Sequence, residues 1–356
     1  YMATGAGPYG SFVLARDGNF YAMTSLGGAN GYGAIFRMTP AGPITVIKQL
    51  DNSTGGGPRG TLIQGTDGNL YGMTNYGGTS NGGTIFKITL TGTLTVLKNL
   101  TTTTGYAPMG NLLLSTDGNF YGVTSSGGTN GSGTVFKITP TGVLTVLKNF
   151  DYYVTGGEPR GSLVRATDGN FYGITYGGGS SGGGTIFKIT PAGVFTVIKP
   201  LEYWATGSGS YSSLVQGRDG NFYGTTGTGG TYSNGTIFKC TPTGLLTVLR
   251  HLNYSSDGAN PYGSLYENSD GYFYGMASSG GTNYTYTGTI FKISPTGVFT
   301  VLFRLPDGAF GFNPAESVVQ AKDGFFYGMA HNGGMNNYGT IYKMSTNGTL
   351  TVLRHF

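Results

Sequence analysis

The sequence predicts an all-β chain folded as a seven-bladed β-propeller, with four antiparallel strands in each blade. Three observations lead there. An Asp-Gly pair recurs at Asp17, Asp67, Asp117, Asp168, Asp219, Asp270 and Asp323, seven times at intervals of 50–53 residues. Each interval carries four short strand signals separated by turn residues. The composition, 68 Gly in 356 residues with 13% aromatic and 10% charged side chains, is too apolar for disorder and too Gly-rich for helices of ordinary length.

The second copy shows the elements in order. "GTLIQG" at 60–65 is a brief apolar run, and Asp67-Gly68 is a hairpin turn. "NLYGMT" at 69–74 alternates and is the second strand. A loop with Gly77 and Gly78 leads to the third strand, "TIFKIT" at 84–89. A Thr-Gly turn at Thr91 and Gly92 then leads to the fourth, "LTVLKNL" at 94–100. No window shows a sustained 3.6-residue apolar period, and breakers recur too often for helices.

Length alone suggests two or three domains, but a fixed period of this size marks a solenoid, propeller or array and takes precedence. Four strands per unit and seven units match a propeller, in which each sheet buries its faces against the blades on either side. Every blade then meets the same two neighbours and must present nearly the same surfaces. The expected organisation is one domain, 1–356, with blades at about 8–50, 58–100, 108–150, 159–201, 210–252, 261–304 and 314–356. The copies run in phase with the sequence, so closure is expected from packing of blades one and seven, with no strand exchanged.

The recurrent residues have structural explanations. Gly18, Gly68 and their equivalents supply the positive φ of a tight turn, as do the turn glycines at 42, 92, 142, 193, 244, 297 and 348. Tyr21, Tyr71, Tyr121, Tyr172, Tyr223, Tyr274 and Tyr327 are expected to pack, each hydroxyl finding one partner. The net charge of +5 invites nucleic acid as a partner. Thirteen of the twenty Lys and Arg, however, fall at two repeat positions: 37, 87, 137, 188, 239, 292 and 343 on third strands, and 48, 98, 148, 199, 250 and 354 on fourth strands. Such a ring has no stripe to track a phosphate backbone, and its heads are expected in water at the rim.

Catalytic groups are sparse. Outside the turn Asp residues, the carboxylates Asp51, Asp151, Glu158, Glu202, Asp257, Glu267, Asp307 and Glu316 are scattered. His251 and His355 follow Arg at fourth-strand ends and read as rim substitutions, which leaves His331 as the site histidine to consider. No nucleophile triad, metal-ligand spacing or phosphate cradle emerges, so neither cofactor nor metal is expected. Cys240 takes a position held elsewhere by Ile or Met and is expected in the core. There is no 18-residue apolar run to span a membrane and no signal peptide in the sequence. Asn-x-Ser/Thr patterns begin at Asn52, Asn99, Asn234, Asn253, Asn283 and Asn347, all expected at loops, turns or strand ends.

The stretch "LVQGRDGNFYGTTGTGG…GTIFKCTPTGLLTVL" resembles the Gloeobacter/Verrucomicrobia-type tandem repeat, over essentially all of residues 8–356. The Asp-Gly, Tyr-Gly, Gly-Gly, Phe-Lys and Thr-Gly landmarks occur in order. Ala22 departs from the Tyr-Gly pair, and Ala277 and Ala330 from the second-strand Thr. The resemblance implies export to an extracellular or cell-surface setting, with the periplasm as the other exported compartment. It supplies no catalytic residue.

Function is therefore sought in what varies. Antiparallel blades put the Asp-Gly and Thr-Gly turns at one end, and the Gly-Gly loops and interblade connections at the other. The connections "TTTTGYAPMG", "DYYVTGGEPRG", "LEYWATGSGSYSS", "NYSSDGANPYG" and "LPDGAFGFNPAE" differ in length and are rich in aromatics. Loops on a rigid scaffold are where binding resides. Tyr152, Tyr153, Tyr203, Trp204, Tyr211, Tyr254 and Phe312 are the candidate binding residues. The leading expectation is a non-catalytic scaffold that binds a protein partner or its own copies. The alternatives are a glycan-binding module using the same rings, and a polysaccharide lyase or hydrolase with a site near the axis.

Overall fold

The computed structural model describes residues 5–39, 43–281, 288–305, 312–314, 318–321, 323–345 and 348–356, the side chains of 312–314 and 319 excepted. Gly42, Asn283, Asp307, Glu316 and Asn347 lie outside the described residues, as does the side chain of Phe312. The strands form seven antiparallel sheets, the blades of a seven-bladed β-propeller, with no helix among the described residues. Contacts divide the chain into two compact units, Tyr1–Asp151 with Glu158–Arg165, and Tyr152–Gly157 with Ala166–Phe356.

In the first unit the second blade is representative. Its strands, Ile63–Gln64, Leu70–Met73, Thr84–Ile88 and Leu94–Asn99, pair in that order. The first is shorter than the sequence suggests, because the Thr61 amide leaves its own sheet to donate to Asn111 Oδ1 of the next blade at 2.6 Å. The same link joins Ser11 to Thr61 at 2.8 Å and Asn111 to Ser162 Oγ at 2.7 Å. The approach is close enough that a Cβ on Gly110 would lie 2.7 Å from the Gly161 carbonyl oxygen, a distance only glycine avoids. In the first blade a further pairing segment, Ala6–Pro8, adds to the second strand Phe20–Leu26; in the second it shrinks to a single bridge between Gly56 and Tyr76.

The second unit repeats these devices. Ser213 donates its amide to Ser264 Oγ at 2.8 Å. Rings stack from blade to blade: Tyr172 on Phe222 at 4.2 Å, Tyr223 on Phe273 at 3.9 Å and Tyr274 on Phe326 at 4.4 Å. Tyr71 on Phe120 at 4.2 Å is the same contact in the first unit. Burying each such ring stabilises the fold by roughly 1.5–3 kcal/mol, so the blade-to-blade stack is a physical reason for one sentence repeated seven times.

Two polar networks support the blades, the first of them built on a threonine pair in blades two to five. Buried Thr84 donates its amide to Thr74 Oγ1 at 2.8 Å and its hydroxyl to the Thr54 carbonyl at 2.7 Å, tying the third strand to the incoming connection. At the other end every repeat tyrosine donates to its turn aspartate, from Tyr21 to Asp17 at 2.8 Å through Tyr327 to Asp323 at 2.7 Å. Each hydroxyl finds a partner in its turn aspartate, and those of Tyr21 and Tyr121 also meet the third-strand cations Arg37 and Lys137. Three of the third-strand cations depart from expectation: Lys137 and Lys239 fold back to 2.9 Å from Asp117 and Asp219, and Lys188 to 3.5 Å from Asp168, because the turn carboxylates lie within reach of their stems. Cys240 is buried in the core.

Candidate functional site

The interblade connections of the second unit are held by their own backbones. Tyr152, Tyr203 and Tyr254 occupy the same place in three successive connections, and the carbonyl of each accepts an amide of the neighbouring Gly-Gly loop, from Gly179, Gly230 and Gly281, at 2.7 Å in every case. Within the connection after the fourth blade, the Glu202 amide donates to Thr206 Oγ1 at 2.7 Å and its carbonyl accepts from the Thr206 and Gly207 amides. That closed turn fixes the backbone under Tyr203 and Trp204.

The rings divide into groups. Tyr203 and Trp204 meet edge to face at 4.9 Å and 81°, and Tyr152 and Tyr153 do so at 5.6 Å and 84°. Tyr152 and Tyr203 are each 39% exposed, Trp204 69% and Tyr153 81%. Tyr211 is half-buried in a file between Tyr176, at 5.2 Å, and Tyr262, at 4.6 Å. Tyr254 is also half-buried, and Phe312 is placed only through its backbone, opposite Asn332. The structure thus assembles four of the seven candidate rings into two perpendicular pairs and sets Tyr211 in a packed row. Tyr176 and Tyr262 were not singled out from sequence, although Tyr262 holds the repeat position of Tyr211 and Tyr9, which is the signal that could have found it.

The same region holds the most tightly organised ion pair. Arg250 donates from Nε to Asp257 Oδ2 at 2.9 Å and from Nη2 to Oδ1 at 2.8 Å. Asp257 is buried and also accepts from the Asn253 amide at 3.1 Å and from Ser256 Oγ at 2.9 Å. Burial acts to raise this carboxyl, but the Arg250, Asn253 and Ser256 bonds outweigh it and hold it below the usual carboxylate range. Sequence reading left Asp257 among scattered carboxylates; its departure from the threonine of Thr54, Thr104, Thr155 and Thr206 is the available signal.

The histidines serve the loops. His251 Nδ1 accepts the Thr231 amide at 3.2 Å, and His355 Nδ1 that of Met335 at 3.2 Å, as Asn99 Oδ1 accepts that of Thr79 at 2.9 Å. They are the substitutions at fourth-strand ends that the sequence indicates. His331 Nδ1 lies 3.0 Å from Asn332 Oδ1. In the first unit Arg160 pairs with Glu158 at 2.9 Å. Among the described residues no group of three or more His, Cys, Asp or Glu could hold a metal ion, and no helix could cross a membrane. The acceptor-pattern residues Asn52, Asn99, Asn234 and Asn253 lie at turns, loops or a strand end.

A blade repeated seven times, with short uniform turns at one end of its strands and varied aromatic connections at the other, defines a tandem-repeat β-propeller whose individuality lies in its loops. Residues 7–209 and 164–356 match the Gloeobacter/Verrucomicrobia repeat, and the chain belongs to that family. No curated protein sequence matches it. Among solved structures it is similar to virginiamycin B lyase from Staphylococcus aureus, at 16% identity and a TM-score of 0.63 over 95% of this chain and 94% of that one. It is also similar to puromycin hydrolase, at 10% identity and a TM-score of 0.59, over 99% of this chain and 54% of that one, about half its length. At these identities the likeness shows the fold alone.

Proposed function

We propose that this protein is a non-catalytic extracellular or cell-surface scaffold that binds a protein partner or further copies of itself through the aromatic connections of its second unit. The observation that carries the reading is the exposure of Trp204 and Tyr153 on backbone turns that are themselves latched to the Gly-Gly loops. Large rings held in place lose little conformational freedom on binding, which is why Tyr and Trp dominate interface hot spots. Nothing in blade packing requires these side chains, since the equivalent places in the connection after the first blade are Asn52 and Ser53. Family membership supports the exported setting.

The test is a Tyr203→Ala, Trp204→Ala variant compared with the parent chain by sedimentation over a wide concentration range and by capture of surface proteins from the source cell. Loss of assembly or of a specific captured protein, with the melting temperature retained, is the expected result. A variant that assembles and captures as the parent does would remove these rings from the interface. One that melts many degrees lower would show them to be cover for the blade ends.

A further inference from the structure

Seven copies of one blade serve as an internal reference. Packing against like neighbours explains what repeats, so several departures gathered in one place call for another explanation. They gather on the fifth blade. A groove of about 610 Å³ is lined there by Thr231, Tyr232, Arg250, His251, Asn253 and Ser256, with Val248 and Leu249. Tyr232 stands where other copies have Asn30, Ser80, Asn130 and Ser181, and Arg250 where the first four have Lys48, Lys98, Lys148 and Lys199, while the seventh repeats the Arg-His pair as Arg354 and His355. Asp257, which grips Arg250, replaces a threonine.

The chemistry of the lining is directional. Asp257 engages Nε and Nη2 of Arg250 and so fixes the guanidinium plane, while Nη1 has no hydrogen-bond partner among the described residues. His251 accepts an amide on Nδ1, so its neutral ring carries hydrogen on Nε2. Asn253 Oδ1 accepts the Ser255 and Ser256 amides, which leaves its Nδ2 to donate. Beside these donors lies the ring of Tyr232, 54% exposed. A ligand that suits them is rich in acceptors, carries an anionic oxygen for the guanidinium and presents a flat apolar face to the tyrosine. Sugar rings satisfy several dispersed donors at once, whereas an acidic side chain satisfies one or two.

We propose that this groove binds an acidic saccharide, its carboxylate held by Arg250 and His251 and its ring lying on Tyr232. The proposal is independent of the scaffold reading, which rests on other residues. Two variants test it: Arg250→Gln with Asp257→Thr, which removes the cation together with the carboxylate that grips it and takes the threonine found at Thr206, and Tyr232→Ser with His251→Asn, as at Ser181 and Asn149. Both keep the blade's own packing pattern, and neither leaves a buried charge unpaired. Calorimetric titration would use tetragalacturonate, neutral maltotetraose and a tetraglutamate peptide. The expected result is binding of tetragalacturonate by the parent chain, weakened about tenfold or more in each variant at unchanged melting temperature. No binding by the folded parent, or equal binding by the variants, would overturn the proposal. Equal affinity for maltotetraose would remove the acidic requirement, and equal affinity for tetraglutamate would reassign the groove to a peptide; either outcome defeats it.

Discussion

The Tyr121 hydroxyl donates to Asp117 Oδ2 at 2.8 Å, and Lys137 Nζ lies 2.9 Å from that same oxygen. The carboxylate also receives the Asn119 amide and side chain, so one turn residue anchors the hairpin, the second strand and the third. Asp117→Ala removes the carboxylate that accepts from Asn119, Tyr121 and Lys137 together. A loss of about 2–3 kcal/mol is expected, against about 1 kcal/mol for Tyr121→Phe, which leaves the Asn119 and Lys137 contacts to the carboxylate in place. Chemical denaturation of both variants checks the order; equal losses would show that the Tyr121 hydroxyl bond alone accounts for what the carboxylate contributes, and that its Asn119 and Lys137 contacts add nothing.

These pairs predict a stability plateau bounded on both sides in pH. Burial, then the bond to the turn aspartate, pushes Tyr21 and Tyr327 up to about 12. Burial acts to raise Asp67, Asp117 and Asp219, but hydrogen bonds from Asn, Tyr and Lys outweigh it and hold them below the ordinary range. A depressed carboxyl contributes stability above its unfolded value, ~4, that is lost as pH falls toward the folded one. A raised phenol contributes stability below its unfolded value, ~10, that is lost as pH rises toward the folded one. Melting temperature should therefore be level around neutrality, and should fall below pH ~4 and above pH ~10. Tyr327→Phe should shrink the alkaline decline; a profile flat to pH ~12 would contradict the assignment.

Gly110→Ala should be costly although the glycine lies in no positive-φ turn. Its added methyl meets the Gly161 carbonyl, which is backbone and cannot turn aside, so a loss of about 1–3 kcal/mol is expected. The equivalent place in the fifth blade is Ser212, whose hydroxyl is used by Ser210 and the Thr225 backbone. Ser212→Gly should then lose stability too, for lack of those bonds. Thermal unfolding of the two variants separates the explanations: a harmless Gly110→Ala would mean the blades can move apart at no cost.

Cys240 should be silent to alkylating reagents in the folded protein. Burial pushes its thiol up to about 11, so both access and thiolate are lacking near neutral pH. Iodoacetamide labelling followed by mass measurement should show modification only as the chain unfolds, which makes the thiol a reporter of core opening in the fifth blade. Rapid labelling under native conditions would place Cys240 outside the core.

What the sequence by itself determined is what depends on near neighbours in the chain and on the period. Asp67-Gly68 dictates its own turn, "NLYGMT" its alternation, and seven copies at nearly equal spacing imply that each sheet meets another like itself. The loop origin of Tyr203 and Trp204 was legible for the same reason, since their connection departs openly from the repeat. Tertiary structure decided whatever required two distant departures to meet. Lys137 reads as a solvated rim cation until the fold brings Asp117 beneath it, twenty residues away. Arg250 and Asp257 look like unrelated substitutions until the turn between them closes, and only then does Tyr232 from the facing loop share their groove. The physical reason is one of range: turns and strand alternation are set by local torsional preference and burial pattern, whereas hydrogen bonds and ion pairs act over a few ångströms that only the folded chain establishes.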